Sequence, residues 1–238
     1  VDLTGMKVVV DAAEGASFYT SVEAIKELGA EVIAIHNNPD GTNINANCGS
    51  AHMEELQARV VFEKANIGLA FDGDADRCLA VDENGDVVDG DKILYVLGKR
   101  LKARGMLNHD TVVATIMSNS GFVASLEEAG IKCEQTNVGD RFVYECMQKN
   151  GYVLGGEQSG HIIIKKYATT GDGILTAIMI TEELCDKKTT LSALAKDVTL
   201  YPQMMESVYI RDKDEVINDE DIRARIEEIE TELGNGGR

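Results

Sequence analysis

Short β-branched runs alternate with helix-period stretches along this chain, and that rhythm restricts its fold more than any other feature. Residues 7–10 read as a strand. Residues 19–28 read as a helix with Val22, Ile25 and Leu28 on one face, stopping at Gly29. Glu31–Ile35 is a second strand, followed by an Asn- and Gly-rich connector over 37–49. Ser50 is placed to cap a helix through Val61 that turns Met53, Leu56 and Val60 inward. Ile67–Phe71 is a third strand, and Asn84-Gly85 makes a hairpin between 78–82 and Val87–Val88.

A helix over 91–104 leads into a second unit. It comprises strand 111–116, helix 121–129 ended by Gly130, strand 131–136, helix 142–149, strands 152–154 and 161–164, and helix 173–185. Such alternation predicts an α/β fold: two consecutive three-layer α/β domains with mixed, mostly parallel sheets, breaking near residues 98–108. Residues 207–210 then read as a strand. Asn218 is placed to cap a helix carrying Ile222, Ile226, Ile229 and Leu233, ended by Gly234-Asn235-Gly236-Gly237. One strand and one helix cannot cover that stripe, so the expectation is the opening of a third domain that continues outside this chain. The expected division is 1–98, 99–203 and 204–238.

Composition narrows the partners. A net charge of −18 over 238 residues argues against nucleic acid or an anionic membrane surface. No run of 18 apolar residues is present to span a bilayer. The opening Val1-Asp2-Leu3-Thr4-Gly5 has no signal-peptide pattern. The five cysteines (48, 78, 133, 146, 185) form no CxxC pair, so free thiols in a cytoplasmic protein are expected.

Asp72-Gly73-Asp74-Ala75-Asp76-Arg77 follows the apolar run Ile67–Phe71 directly. Alternate residues on a curled loop can turn three carboxylates to one point, and hard Mg²⁺ takes carboxylate oxygens together with substrate phosphates. An acidic surface turn would need neither three aspartates nor the small spacers. A calcium loop counted from Asp72 reaches Glu83 at its twelfth position. Its sixth position, however, is Arg77 instead of the turn-making glycine, and strand-like residues flank it. The expectation is a divalent-cation site on Asp72, Asp74 and Asp76.

Gly155-Gly156-Glu157-Gln158-Ser159-Gly160-His161 gathers a carboxylate, a hydroxyl and an imidazole among glycines. A carboxylate accepting from two vicinal sugar hydroxyls orients a sugar strongly. On chemistry alone, a sugar grip and a glycine-rich hairpin with a structural histidine stand level.

The aspartate loop followed about eighty residues later by Gly-Glu-x-Ser-Gly-His resembles the α-D-phosphohexomutase superfamily. Leu28-Gly29-Ala30-Glu31-Val32, Asp40-Gly41-Thr42-Asn43-Ile44-Asn45, Val138-Gly139-Asp140-Arg141-Phe142-Val143 and Thr169-Thr170-Gly171-Asp172-Gly173 extend the resemblance over nearly the whole chain. The Asn43-Ile44-Asn45 and Val138-Gly139-Asp140-Arg141 segments favour its glucosamine-phosphate branch over those acting on mannose or glucose phosphates. The resemblance implies the second and third domains of a four-domain mutase and the start of the fourth. It implies a phosphoserine loop upstream of Val1 and a phosphate-gripping loop after Arg238. It further implies Mg²⁺ on the three aspartates, Arg77 beside the transferring phosphoryl, and Glu157, Ser159 and His161 on the sugar. Arg141 would lie near a phosphate, and a homodimer is the expected assembly. Ala75 stands where the family often has glycine, and Ala12-Ala13-Glu14-Gly15-Ala16 departs from the commoner Ala-Asn-Gly-Ala. The competing class is a non-catalytic module binding metal and sugar phosphate. A haloacid-dehalogenase-type phosphotransferase is disfavoured by Asp76-Arg77 and by the Gly155–His161 motif.

Overall fold

β1 (Lys7–Asp11), β2 (Glu31–Ile35) and β3 (Ile67–Phe71) lie side by side and parallel, in the order β2-β1-β3. Their carboxyl ends therefore share one edge, where loops carry function in open α/β sheets. The structure is a computed structural model and describes residues 1–204, 206 and 208–234. β4 (Cys78–Val81) and β5 (Val87–Val88) extend the sheet antiparallel through the Asn84-Gly85 turn, where the Gly85 N–H donates to Asp82 O at 3.0 Å.

Period-two alternation along β1 sends Val8 and Val10 to one face and Val9 to the other. The first face packs against Val22 and Ile25 of α1 (Thr20–Glu27). The second packs against Leu56 and Val60 of α2 (Glu54–Glu63), with Met53 just before it. The expected inward stripes are thus found, but Ser50 does not cap α2. Gly49, at φ +71°, starts a tight 3₁₀ turn over Gly49–Ala51, and α2 begins only after it.

The second sheet runs β7-β6-β8-β9: β6 (Thr111–Thr115), β7 (Lys132–Thr136) and β8 (Leu154–Gly156) parallel, β9 (Ile162–Ile164) antiparallel. α4 (Ser120–Glu128) buries Phe122 and Leu126 on one face. α5 (Asp140–Asn150) buries Val143 and Met147 on the other. Both sheets are therefore the middle layer of three. The expected strand over 152–154 lies two residues later, because Gly155 and Gly156 are ladder residues, not loop openers. A Cβ on Gly155 would sit 2.7 Å from Met147 Sδ and 2.9 Å from Val143 Cγ1, so α5 packs on β8 only over glycine.

α3 (Gly90–Ala103) and α6 (Gly173–Lys187) join the two units, and one apolar cluster runs through both. α3 is buried over most of its length, Arg100 included. The sequence region 98–108, expected as a break, is the second half of this helix and the turn after it. A short α7 (Leu191–Ala195), not read from sequence, is capped by Thr190 and lies against α3.

In the last segment Val208, Tyr209 and Ile210 are exposed and in no strand, and Ser207 lies outside the described residues. α8 (Lys213–Asn218) precedes α9 (Glu220–Leu233). The cap of α9 is Asp219, one residue past Asn218. The Asp219 carboxylate accepts from both Asp221 N and Ile222 N, while the Asn218 amide is taken by Asp214 O and Arg223. Ile222, Ile226, Ile229 and Leu233 stay exposed. Of the expected terminator, Gly234 follows α9 and residues 235–237 lie outside the described residues.

Candidate active site at the junction of two loops

β3 is buried throughout and ends at Phe71, so Asp72–Arg77 is the first chain to reach solvent at the sheet's carboxyl edge. The loop curls on itself: Ala75 N–H donates to Asp72 O at 3.1 Å and Arg77 N–H to Asp72 Oδ1 at 3.2 Å. That curl brings Asp72, Asp74 and Asp76 together, with one carboxylate oxygen of each within 4.8 Å of the others. Burial pushes the Asp72 carboxyl above its ordinary value, and the charges of Asp76 and Asp74 add to the rise against the Arg77 N–H. Asp76 Oδ1 is buried without a hydrogen-bond donor, its nearest counter-charge being Arg77 Nε at 3.7 Å. Three converging carboxylates, one with an unserved oxygen, are a donor set that fits a hard divalent cation.

The Gly155–His161 loop reaches this site from the second sheet. Cys78 N–H donates to Gly160 O at 3.1 Å, Gly90 N–H donates to Gln158 O at 2.9 Å, and Arg77 and His161 form an isolated antiparallel bridge. His161 is 4% exposed, with Nδ1 3.1 Å from Asp76 Oδ2 and Nε2 accepting the Gly171 N–H at 3.0 Å. A Cβ on Gly160 would meet Cys78 O at 2.6 Å, so this approach depends on glycine.

The remaining sequence candidates sit around this junction at different depths. Glu157 Oε1 accepts the Gly139 N–H at 3.1 Å, holding the start of α5. Ser159 is exposed. Arg141 is exposed on the first turn of α5 and pairs with Glu145 at 2.7 Å. Asp140 Oδ2 lies 3.9 Å from His161 Nε2.

A cavity of about 310 Å³ opens beside Asp74 and Asp76, walled by Ser17, Thr20, Gly171 and Asp172. Sequence reasoning assigned no role to Ser17. Its Oγ is buried without a hydrogen-bond partner, and its loop follows β1 at the same edge as the aspartates. The parallel order of β1 and β3 was the signal that could have found it. A cavity of about 550 Å³ between α3 and α6 is larger, but two of its cations pair with carboxylates of its own walls: Arg100 with Glu183 at 2.9 Å, Lys99 with Asp197 at 3.1 Å.

Two three-layer α/β/α units meeting at an acidic loop and a glycine-rich Glu-x-Ser-Gly-His loop define a class, and comparison with known proteins agrees. Residues 2–85 match the model for "Phosphoglucomutase/phosphomannomutase, alpha/beta/alpha domain II", and residues 89–201 match domain III of the same family. The chain belongs to the phosphoglucomutase/phosphomannomutase family. It is 51% identical over 239 residues to the phosphoglucosamine mutase of Clostridium acetobutylicum, covering 100% of this chain and 53% of that protein. It is 49% identical over 234 residues to that of Lachnospira eligens, covering 98% and 52%. The chain thus spans about half the length of the curated relatives it matches. The solved Aspergillus fumigatus N-acetylphosphoglucosamine mutase, in complex with GlcNAc-6P and magnesium, shares the fold. Its TM-score is 0.66 at 19% identity, covering 84% of this chain and 47% of that one.

Proposed function

We propose that this chain supplies the cation- and sugar-binding half of a phosphoglucosamine mutase. The activity is interconversion of glucosamine 6-phosphate and glucosamine 1-phosphate, through a phosphoserine from outside this chain and a bisphosphate intermediate. The relatives' names support the substrate. The observation that carries the reading is the contact of the two loops through Asp76 and His161, which supports one cleft shared by the proposed cation and sugar sites.

In this reading Asp72, Asp74 and Asp76 hold Mg²⁺, which when bound offsets negative charge on the transferring phosphoryl group. Arg77 is half-exposed, and its Nε, 3.7 Å from both Asp72 and Asp76, anchors one edge of the guanidinium while its terminal amino groups face the phosphoryl oxygens. Glu157 accepts two vicinal sugar hydroxyls with its carboxylate, and Ser159 donates to a third polar group of the substrate. His161 has both ring nitrogens engaged by protein, so it serves the sugar side by holding Asp76 and the Gly171 loop in place. Arg141 exchanges Glu145 for a substrate phosphate.

The division 1–98, 99–203 and 204–238 belongs to the same proposal, with α3 as the shared element at its first boundary. So do a cytoplasmic location and a homodimer, with neither nucleic acid nor membrane as partner. The net charge of −18 supports the last point.

The test is kcat/KM of the complete protein for glucosamine, mannose and glucose 6-phosphates with Mg²⁺ and a bisphosphate primer. Preference for glucosamine 6-phosphate is expected, and preference for mannose or glucose moves the chain to the phosphomannomutase/phosphoglucomutase branch. The 238-residue chain alone is expected to bind cation and give no turnover. Turnover by it would overturn the placement of the phosphoserine outside.

A further inference from the structure

The carboxyl ends of β1 and β2 carry a second group of ligand-type side chains, apart from the aspartate loop. Asp11 ends β1, His36 directly follows β2, and Cys48 closes the connector between β2 and α2. One donor atom from each of the three lies within 4.8 Å of the other two. Asp11 and Cys48 are fully buried, and the His36 side chain is 18% exposed.

The contacts inside this group leave a charge problem. Asp11 accepts from Ala13 N at 2.9 Å and Gly49 N at 3.0 Å, and its Oδ2 lies 2.9 Å from His36 Nδ1. On the other side of the ring, His36 Nε2 lies 3.2 Å from Glu55 Oε2. A neutral imidazole has one N–H and can donate to only one of two flanking carboxylates, so the contacts call for either an imidazolium or a bound metal cation between the carboxylates. A metal cation shared between His36 and Asp11 meets that demand, and the Cys48 thiol beside the pair supplies a third ligand that a proton would leave unused: the ring coordinates on one side and donates to Glu55 on the other. Histidine ligands usually take that arrangement. Oxygen, nitrogen and sulfur together also differ from the all-oxygen set of Asp72, Asp74 and Asp76, and suit a softer ion.

We propose that Asp11, His36 and Cys48 form a second cation site, for a borderline divalent ion of the Zn²⁺ class, with Glu55 bracing the His36 ring. Binding exchanges the Cys48 S–H bond for a metal–sulfur bond, and the thiol proton leaves to solvent. Burial and the charges of Asp11, Glu14 and Glu55 push that thiol up to about 11 in the absence of the ion, so binding releases close to one proton at neutral pH. Tetrahedral ligand edges around zinc are roughly 3.3–3.7 Å from its bond lengths. The Asp11–His36 pair opens slightly and Cys48 swings inward to meet them. An ion here would also brace the floor of the aspartate loop. Asn45 N–H donates to Ala13 O at 2.9 Å, and a Cβ on Gly73 would meet Asn45 Nδ2 and Ile44 Cδ1 at 2.7 Å.

The test is titration of the chain with Co²⁺ under a phosphine reductant, followed by absorption. The expected result is a thiolate-to-cobalt band in the near ultraviolet with the visible bands of tetrahedral cobalt. It should saturate at one equivalent, be displaced by Zn²⁺ and be unmoved by excess Mg²⁺. Cys48→Ser should remove the sulfur band with the circular dichroism of the fold unchanged, and Asp74→Asn should retain it. Should Cys48→Ser fail to fold, Glu55→Ala decides, since Glu55 is exposed and loss of its acceptor should weaken cobalt binding about tenfold. No sulfur band in the parent chain, or a band that survives Cys48→Ser, or unaltered affinity in Glu55→Ala, overturns the site.

Discussion

His161 donates from Nδ1 to Asp76 Oδ2 at 3.1 Å because its other nitrogen, Nε2, accepts the Gly171 backbone N–H at 3.0 Å. A backbone N–H can only donate, so the tautomer follows from the contact. The neutral ring is thereby a spacer of fixed polarity between the second sheet's loop and a carboxylate of the first sheet's loop.

Replacing His161 by Ala should show both consequences. It strands a buried Gly171 N–H, costing about 1–3 kcal/mol of folding stability. It also releases Asp76, and loss of an outer-shell partner typically weakens cation binding by about 10–100-fold. Urea denaturation and calorimetric Mg²⁺ titration measure the two effects. Unchanged Mg²⁺ heats would mean that the His161–Asp76 contact does not orient the carboxylate.

Ala75 occupies the left-handed region at φ +61°, where a Cβ costs roughly 1–2 kcal/mol. Its carbonyl accepts the Gly173 N–H at 3.0 Å, which keeps it there. Ala75→Gly removes the Cβ strain but adds unfolded-chain entropy of about 0.5–1 kcal/mol. The net expectation is a gain of about 0.5 kcal/mol in denaturant unfolding, and Ala75→Val should lose more than that. A destabilised glycine variant would show that the loop tolerates alanine without strain.

How much was legible in the sequence divides along physical lines. Ile67–Phe71 was readable because a strand buried on both faces must be apolar throughout, and Val22/Ile25 and Leu56/Val60 because helical period alone marks an inward face. The gathering of Asp72, Asp74 and Asp76 was readable for the same local reason: spacing on one loop. Contacts set by distant chain were not. His161 meets Asp76 across 85 residues of sequence, and Gly155 is a ladder glycine only because Met147 lies against it. Capping was missed by one residue at Asp219, where neighbouring Asn and Asp offer the same side-chain chemistry and backbone geometry decides. The strand expected at 207–210 is apolar in sequence, but β-branched residues form a ladder only with a neighbouring strand, and none flanks Val208–Ile210 among the described residues.

Gly90 opens α3 where the second sheet's loop crosses it. Its N–H donates to Gln158 O at 2.9 Å, and an added Cβ would overlap the Glu157 carbonyl and sit 2.8 Å from Gly160 N. These are backbone atoms, which cannot rotate away. Gly90→Ala should cost about 1–3 kcal/mol by overpacking and push the Glu157 loop off the first unit. Thermal unfolding gives the first number, and amide hydrogen exchange at Gln158 and Gly160 gives the second. Faster exchange there, with helix α5 unaffected, is the expected pattern; parent-like exchange would place the strain elsewhere.

The last prediction concerns pH and cation together. Burial, aided by Asp76 and Asp74, holds the Asp72 carboxyl above its ordinary 3.8 in the folded chain. Between that ordinary value and the raised one, the unfolded chain has lost the proton that the folded chain still keeps. Stability contributed by this group is therefore present at lower pH and lost as pH rises through the window. Asp72→Asn removes the effect. Without divalent ions, the variant should gain stability on the parent chain as pH rises through the window, and the difference should shrink toward more acid pH. Adding Mg²⁺ at neutral pH should reverse the ranking, because a ligand that binds only the folded state stabilises it by about 2.7 kcal/mol at a hundred times its Kd. Urea unfolding at several pH values, with and without Mg²⁺, measures both halves. A parent chain that is the more stable at neutral pH without any divalent ion would mean that the three carboxylates do not strain one another.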